Sequence, residues 1–372
     1  MGERSTKTAH TNGPLDAAAQ WREEALRSTQ RMTNLVSMLM DPTPPTVGAT
    51  PREEIYRRGK ARLYRYRPAE IRHGPVLFIP NLGLSRPYIF DLLPGMSFTE
   101  YMIGQAFDFY LLDWGEFGPE DRDLTIEECV TRVLPRAVRR VLDTSGASTV
   151  SLLGYCMGGT LAAAYLGMDP AAPVHAFVNM AGPIDFTQAG LFGRWLHPSV
   201  FDVDKVVGTF GMLPVELVQA GMRLLKPTMD LTARVNLWWN LWSGEYVRGY
   251  RALNTWSNDY APMPGEFFRE WVKGFYQENR LLQGTLRYAG RPVRLGAIRC
   301  PVLVVGASED HIVPGPCARA LLDAVGSRDK EYVELPGGHI SLIAGRSAPR
   351  QCWPRISRWL AEKGPPKAEV TA

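Results

Sequence analysis

Short apolar runs recur along the chain and alternate with helix-like stretches. The runs predict strands at residues 61–66, 75–80, 107–114, 149–155, 175–182, 301–308 and 331–336. Amphipathic stretches between several of them, such as Ile126–Leu142, Gly158–Met168 and Pro316–Val325, predict helices. Strands that are apolar throughout are typical of a parallel sheet that is buried on both faces. We therefore expect an α/β fold.

Two long segments interrupt this alternation. In the first, Leu and Met recur at helical spacing over Gln20–Met40, which predicts one helix, and a proline-rich connector follows at Asp41–Pro51. The second runs from about Pro183 to Ile298 and shows no convincing strand pattern. Six of the ten tryptophans lie in it: Trp195, Trp238, Trp239, Trp242, Trp256 and Trp271.

The tryptophan-rich segment has two compatible interpretations. Its aromatic side chains form the core of a helical subdomain, or some of them line an apolar pocket beneath a lid. The pattern thus predicts four parts in the chain. They are an N-terminal extension (residues 1–51), an α/β core (residues 52–182 and 299–364), a helical lid or cap (residues 183–298) and a tail (residues 365–372).

Composition and charge exclude several classes of protein. With 45% apolar and 22% charged residues among 372, the chain is not collagen-like, coiled-coil or wholly disordered. The net charge of +4 is spread along the chain, so we expect no nucleic-acid partner. Glycines interrupt the longest uncharged run, Ser151–Met168, and we expect no transmembrane segment. An odd number of cysteines (five) and an N-terminus without an apolar run favour the cytoplasm.

One cysteine lies in a glycine-rich turn between a predicted strand and a predicted helix. Residues 154–158 read G-Y-C-M-G, and α/β-hydrolases hold their nucleophile in this strand–turn–helix context. The small flanking residues permit a strained turn that exposes the central side chain. Cys156 is therefore a candidate nucleophile; the alternative is a small buried hydrophobic residue.

A cysteine nucleophile needs a base and an orienting carboxylate, which follow it along the chain in hydrolases as acid and then histidine. Glu309, Asp310 and His311 come directly after one predicted strand, and His339 follows another in a Gly-Gly-His turn. Both groups fall at the sheet edge where α/β proteins assemble sites. We predict His339 as the base and Asp310 as the inward carboxylate; helix capping by the two carboxylates and a structural role for His311 are the alternatives.

The remaining candidate ligands lack any recognisable spacing. We expect no metal site, because the other histidines are not spaced as ligands, and we find no glycine-rich nucleotide-binding motif. Four cysteines are predicted to be packing residues: Cys129, Cys300, Cys317 and Cys352.

Sulfur at the nucleophile position favours a particular reaction. Transfer of an acyl group from a thioester to a cysteine exchanges one thioester for another, so the acyl-enzyme stays reactive enough to acylate a hydroxyl next. A histidine beside the thiol also supplies thiolate at neutral pH. The residues therefore favour acyl transfer from a thioester donor.

Taken together, these segments resemble the polyhydroxyalkanoate synthases, particularly the short catalytic subunit of the two-subunit (class III) type. The resemblance runs from about Arg52 to Leu360. It rests on REEIYRRGKARLYRYRP, PVLFIPNLGLSRPYIFDLLP, FYLLDWGE, LLGYCMGGT, FYQENRL, CPVLVVGASEDHIVP and PGGHI. It implies an α/β-hydrolase fold with a helical lid. No motif in the N-terminal extension contributes to this resemblance, and LWWNLWSGEYVRGY is closer to the longer one-subunit synthases.

The resemblance also implies an activity. Such an enzyme joins (R)-3-hydroxyacyl units from coenzyme A onto a growing polyester in the cytoplasm, at the surface of storage granules, and needs no cofactor because the coenzyme A thioester is the substrate. Cys156 would carry the acyl group, His339 would act as base, and Asp310 would assist His339 or help to activate the incoming hydroxyl. The backbone N–H groups of Met157 and Leu82 would form the oxyanion hole. Homodimerisation and an accessory synthase subunit are further expectations.

Two other functions are compatible with the residues. A cysteine-dependent α/β-hydrolase would act on an ester, a lactone or a polyester, and exclusion of water by an aromatic lid distinguishes transfer from this hydrolysis. The second alternative is a granule-associated binding protein, which would have the same fold but no catalytic activity. The complete set of Cys156, Asp310 and His339 argues against that last alternative.

Overall fold

The computed structural model describes residues 14–225 and 227–365, and its internal contacts divide the chain into two compact units. Unit 1 comprises the described residues up to Pro45 together with Thr228–Ala252. Unit 2 comprises Thr46–Pro227 and the chain from Leu253 onward. The first thirteen residues, and the predicted tail beyond Pro365, lie outside the described residues.

Unit 2 is built on an eight-stranded sheet. Its strands are β1 (Glu53–Arg58), β2 (Ala61–Tyr66), β3 (His73–Ile79), β4 (Phe107–Asp113), β5 (Val150–Tyr155), β6 (Val174–Met180), β7 (Val302–Ala307) and β8 (Lys330–Leu335). Their order across the sheet is β1-β2-β4-β3-β5-β6-β7-β8. The six strands from β3 to β8 are parallel to one another, whereas β2 is antiparallel to both β1 and β4.

The helices of the described residues are α1 (Pro14–Met40), α2 (Phe98–Gly104), α3 (Ile126–Glu128), α4 (Leu134–Ser145), α5 (Met157–Met168), α6 (Gly190–Trp195), α7 (Val203–Phe210), α8 (Val215–Leu225), α9 (Met229–Asn240), α10 (Gly244–Asn258), α11 (Gly265–Glu270), α12 (Arg280–Gln283), α13 (Gly315–Ala324) and α14 (Cys352–Lys363). Of these, α2, α4, α5, α13 and α14 pack against the strands of the sheet. Two π-helical segments, Cys129–Val133 and Trp271–Gln277, continue α3 and α11.

The predicted α/β architecture is confirmed, and each of the seven predicted strands is present with its ends within two residues of the expected positions. The eighth strand, β1, was not predicted. Its sequence, Glu-Glu-Ile-Tyr-Arg-Arg, is largely exposed at the sheet edge and therefore lacks the apolar pattern of the others. Buried parallel strands leave a strong hydrophobic signal, whereas a charged edge strand leaves little.

The segment between residues 183 and 298 is mainly helical, with helices α6 to α12, but it also contains short strands that the sequence did not predict. Met212–Leu213 pairs with Met263–Pro264, and Arg287–Tyr288 pairs with Arg291–Pro292. A third two-residue strand, Tyr260–Ala261, pairs with Leu84–Ser85, which follows β3. A strand of two residues is too short to show an alternating pattern of apolar and polar residues, so the sequence does not predict it. A lid function for this segment stays a prediction.

Unit 1 consists of α1, α9 and most of α10. The predicted helix at Gln20–Met40 is present and begins earlier, at Pro14. The side-chain amide of Asn34 donates a hydrogen bond of 2.6 Å to the carbonyl of Leu241, and the Arg27 guanidinium lies 4.9 Å from the centre of the Trp242 ring. Large apolar side chains of this unit are exposed to solvent, among them Trp21, Met32, Val36, Leu39, Leu231, Val235, Trp238 and Trp239.

Candidate active site

The candidate nucleophile lies where β5 ends and α5 begins. Cys156 has φ 53° and ψ −127°, a backbone conformation that non-glycine residues seldom adopt. Its N–H donates to the carbonyl of Met180 (3.0 Å), and its own carbonyl accepts from the N–H of Gly159 (2.9 Å). These bonds tie the strained residue to β6 and to the first turn of α5. The side chain of Cys156 is left partly exposed.

The glycines around Cys156 are required by close packing. A Cβ atom on Gly158 would lie 1.9 Å from the carbonyl oxygen of Ile79, and one on Gly159 would lie 2.0 Å from Oδ1 of Asn179. A Cβ on Gly154 would lie 2.5 Å from the Cα of Gly159. Only glycine lets the helix start this close to β3, β5 and β6. The G-x-C-x-G pattern thus reflects the packing of a sharp strand-to-helix turn.

His339 and Asp310 meet at the same edge of the sheet. Nδ1 of His339 and Oδ2 of Asp310 are 2.7 Å apart, and the two side chains are 5% and 0% exposed. Asp310 follows β7, and His339 opens a short 3-10 helix after β8. Because β5, β7 and β8 are parallel, their carboxyl ends bring the three sequence-predicted residues to one edge.

Asp310 uses both of its carboxylate oxygens. Oδ2 faces His339, while Oδ1 accepts hydrogen bonds from the backbone N–H groups of Ile312 (2.9 Å) and Val313 (2.8 Å). The neighbouring Glu309 and His311 are exposed. This arrangement distinguishes Asp310 from Glu309 as the inward carboxylate. Both oxygens of Asp310 therefore have hydrogen-bond partners within the fold.

The electrostatic surroundings of His339 favour its charged form. Burial alone would lower the pKa of His339, but the charges of Asp310 and Cys156 and hydrogen bonds to both of them raise that pKa. The interaction with Cys156 means that the imidazole and the thiol are close neighbours. An imidazolium beside sulfur is the arrangement in which a thiolate nucleophile is generated.

The backbone N–H groups of Met157 and Leu82 are the candidate oxyanion donors. Met157 is the first residue of α5, where N–H groups have no acceptor within the helix. Leu82 is fully buried in the loop after β3. In that loop the side-chain amide of Asn81 donates to the carbonyl of Gly83 (2.7 Å) and to Oγ of Ser85 (3.1 Å). The roles of Met157 and Leu82 stay predictions.

Aromatic side chains that the sequence analysis did not single out surround the site. The ring of Tyr155 lies 4.9 Å from that of His339, and its hydroxyl donates to the His339 carbonyl (3.2 Å). Burial raises the pKa of Tyr276, as do the nearby sulfurs of Cys317 and Cys156, which places this phenol beside the nucleophile. Tyr276 also packs edge-on against Phe186 at 4.9 Å. The FYQENRL segment contains Tyr276, but a single sequence does not reveal which of its residues face the cysteine.

The other cysteines differ from Cys156. Burial raises the pKa of Cys300 to about 11 and those of Cys317 and Cys352 to about 12, and it raises the pKa of the fully buried Cys129 as well. Burial thus disfavours the thiolate form of these four side chains. Over the described part of the chain, His, Cys, Asp and Glu side chains form no group of three that could hold a metal ion. No helix there is long and apolar enough to cross a membrane.

Comparison with known proteins agrees with this geometry. Residues 74–345 match the model of the α/β hydrolase fold family. The chain is 32% identical over 348 residues to the poly(3-hydroxyalkanoate) polymerase subunit PhaC of Allochromatium vinosum, covering 92% of this chain and 97% of that one. The chain belongs to the PhaC family. The family resemblance read from the motifs and the expected α/β-hydrolase fold are thus both confirmed.

Other relatives give the same result. PhaC of Haloferax mediterranei is 31% identical over 346 residues, which is 92% of this chain and 70% of that protein. Among solved structures, a thermophilic esterase from Thermogutta terrifontis superposes with a TM-score of 0.51 at 15% identity, over 84% of this chain and 98% of the esterase. At that identity the superposition establishes the fold alone. The PhaC relatives therefore carry the argument on function.

Proposed function

We propose that this protein is a polyester synthase, which polymerises (R)-3-hydroxyacyl units from coenzyme A thioesters through an acyl-cysteine. The observation that carries the proposal is a cysteine in the nucleophile turn, beside a buried histidine–carboxylate pair, in a member of the PhaC family. Cys156, His339 and Asp310 are its catalytic residues. No metal or cofactor takes part in the proposed reaction.

In the first step the Cys156 thiolate attacks the thioester carbonyl. The oxygen gains negative charge, which the N–H groups of Met157 and Leu82 stabilise. The C–S bond to coenzyme A then breaks, and the leaving thiolate takes the proton that His339 carries. The products are free coenzyme A and an acyl-Cys156 thioester, so one thioester replaces another with little change in free energy.

In the second step His339 acts as a general base. It accepts the proton of a 3-hydroxyl group, whose oxygen attacks the acyl-Cys156 carbonyl. An ester bond forms, and the Cys156 thiolate leaves next to the new imidazolium. Asp310 stabilises that imidazolium and fixes its orientation through the 2.7 Å contact with Nδ1.

The proposal extends to location and partners. Coenzyme A thioesters are made inside cells and a long polyester separates from water, so the enzyme acts in the cytoplasm at the surface of polyester granules. The curated relatives are named as polymerase subunits, which supports association with a second copy or with an accessory synthase subunit.

Incubation with 3-hydroxybutyryl-coenzyme A tests the proposal. Free thiol and turbidity are followed together. A synthase releases coenzyme A and produces turbidity from insoluble polyester. Release of thiol with soluble 3-hydroxybutyrate and no turbidity would identify a hydrolase, and absence of both signals would leave a binding protein.

A further inference from the structure

The loop after β3 that carries Leu82 is paired with the predicted cap. We name Asn81–Tyr88 the oxyanion loop and Trp256–Met263 the latch segment. Leu84 pairs with Ala261 and Ser85 with Tyr260 in an antiparallel ladder. Because the oxyanion loop follows β3 outside the eight-stranded sheet, its partners in the latch segment help to determine its conformation.

Side chains add three more contacts between the loop and the latch segment. The indole N–H of Trp256 donates to the carbonyl of Arg86 (2.8 Å). Asp259 accepts from the Arg86 guanidinium at Oδ1 (3.1 Å) and from the Tyr88 hydroxyl at Oδ2 (3.1 Å). One carboxylate thus holds two side chains of the loop, and Glu116 binds Arg86 from another direction (2.7 Å).

The backbone of the loop requires such support. Leu84 has φ 63°, in the left-handed region that costs a branched side chain free energy. Gly83, with φ 64°, is packed so closely that an added Cβ would lie 3.2 Å from the carbonyl oxygen of Pro262. A loop in this conformation relaxes when its partners are removed. Leu82 lies immediately before these two residues.

We propose that Asp259 is a positioning residue for acylation of Cys156, because the latch segment holds the oxyanion loop in the conformation that presents the Leu82 N–H to the reacting carbonyl. The inference rests on the proposed function, in which Leu82 is an oxyanion donor. Such a donor acts over about 2.7–3.1 Å. A shift of about 1 Å costs roughly a hundredfold in rate.

The test compares Asp259→Ala with the parent and with a matched control, Asp204→Ala. Asp204 is a similarly exposed carboxylate that pairs with Arg269 in the predicted cap, outside the oxyanion loop and the latch segment. Three quantities are measured: coenzyme A released in the first turnover with 3-hydroxybutyryl-coenzyme A, the rate of Cys156 alkylation by iodoacetamide, and hydrogen exchange of the amides of residues 81–88. Alkylation needs the thiolate but no oxyanion hole.

We expect Asp259→Ala to slow first-turnover release about tenfold or more. Its rate of alkylation by iodoacetamide should match the parent, and the loop amides should exchange faster. Asp204→Ala should match the parent in all three measurements. Asp259→Asn keeps the size of the side chain but loses its charge, so it should lie between Asp259→Ala and the parent.

Unchanged release by Asp259→Ala, or unchanged amide exchange, would overturn the inference. Slowing of alkylation by the same factor as coenzyme A release would also overturn it, because the substitution would then act on the Cys156 thiol and His339 rather than on the oxyanion loop. A different observation would overturn the proposed function. If the parent enzyme forms no polymer but is acylated by 4-nitrophenyl butyrate, it is not a synthase. In that case the burst of 4-nitrophenol replaces coenzyme A release as the measure of acylation when the Asp259 variants are compared with the parent. Hydrogen exchange of the loop amides can be measured whether or not the protein is active.

Discussion

At the scale of single residues, Cys156 is set apart from the other cysteines by its surroundings. It lies partly exposed at the start of α5 and next to His339. Cys129, Cys317 and Cys352 are buried. Cys300 is partly exposed, but it precedes β7 and so lies at the opposite end of that strand from Asp310. Nucleophilic thiols need an electropositive, accessible position. Position in the fold, rather than the residue type alone, therefore selects one cysteine of five.

Replacing Cys156 by alanine should remove turnover by at least about a thousandfold, because no acyl-enzyme can form. The melting temperature should stay close to that of the parent, since a small, partly exposed side chain is lost. Polymer formation and thermal unfolding check both expectations. Cys300→Ala, at a partly exposed thiol outside the site, serves as the control and should keep parental activity. Near-normal polymer formation by Cys156→Ala would exclude Cys156 from the mechanism.

Replacing Asp310 by asparagine should change the pH dependence of stability. Burial opposes the charge of His339, but Asp310 and Cys156 raise the pKa of His339 from 6.5 to about 10, so the folded state holds a proton that the unfolded chain loses. The resulting stabilisation is complete below pH 6.5 and is lost as the pH rises through about 10.

The free energy of unfolding of parent and Asp310→Asn should therefore differ most near pH 6.5 and least near pH 10. Urea unfolding across this range measures the difference. The neighbouring exposed carboxylate gives a control, Glu309→Gln, which should follow the parent throughout. A difference that grows toward high pH would contradict the assignment of the pair.

At the scale of elements, the sequence predicts the sheet and the meeting of the three candidate site residues for the same physical reason. Buried parallel strands must be apolar, and their carboxyl ends converge, so polar residues after β7 and β8 meet the turn after β5. The edge strand β1 and the two-residue ladders lack a hydrophobic period and were missed. Contacts such as Asp259 with Tyr88 join residues 171 positions apart, and no local pattern encodes them.

The turn between β5 and α5 makes a further prediction. Gly158→Ala should destabilise the protein by roughly 3 kcal/mol or more, because its Cβ would lie 1.9 Å from the Ile79 oxygen and a helix or strand must shift. Gly208→Ala, in α7 with open space around the added atom, should be neutral or stabilise by about 0.5–1 kcal/mol. Chemical denaturation measures both variants. Equal stability of the two variants would contradict the packing described at this turn.

At the scale of the whole molecule, unit 1 exposes several large apolar side chains to solvent. Trp238 is 57% exposed and Trp239 is 64% exposed, and both lie on α9 with Leu231 and Val235. Extended apolar patches on a protein surface mark interfaces or ligand grooves. We expect this surface to take part in association or in access of substrate.

Replacing Trp238, Trp239 and Trp242 together by alanine should lower self-association or change the lag before polymer forms, with unit 2 still folded. Sedimentation velocity, progress curves and near-ultraviolet circular dichroism measure the three properties. Thr232, Arg234 and Asn236 are polar residues of α9, and their joint replacement by alanine is the control. A tryptophan variant identical to the parent in association state and kinetics would show that these rings serve the local fold alone.

The account as a whole depends on an acyl group carried by Cys156. Its most direct test is peptide mass spectrometry after brief incubation with 3-hydroxybutyryl-coenzyme A. Trypsin releases residues 141–194 as one peptide with Cys156 as its single cysteine. We expect hydroxybutyryl units on this peptide, removable by hydroxylamine and lost into polymer when more substrate is added. Polymer formation with the acyl group on another residue, or with none on this peptide, would contradict the central claim.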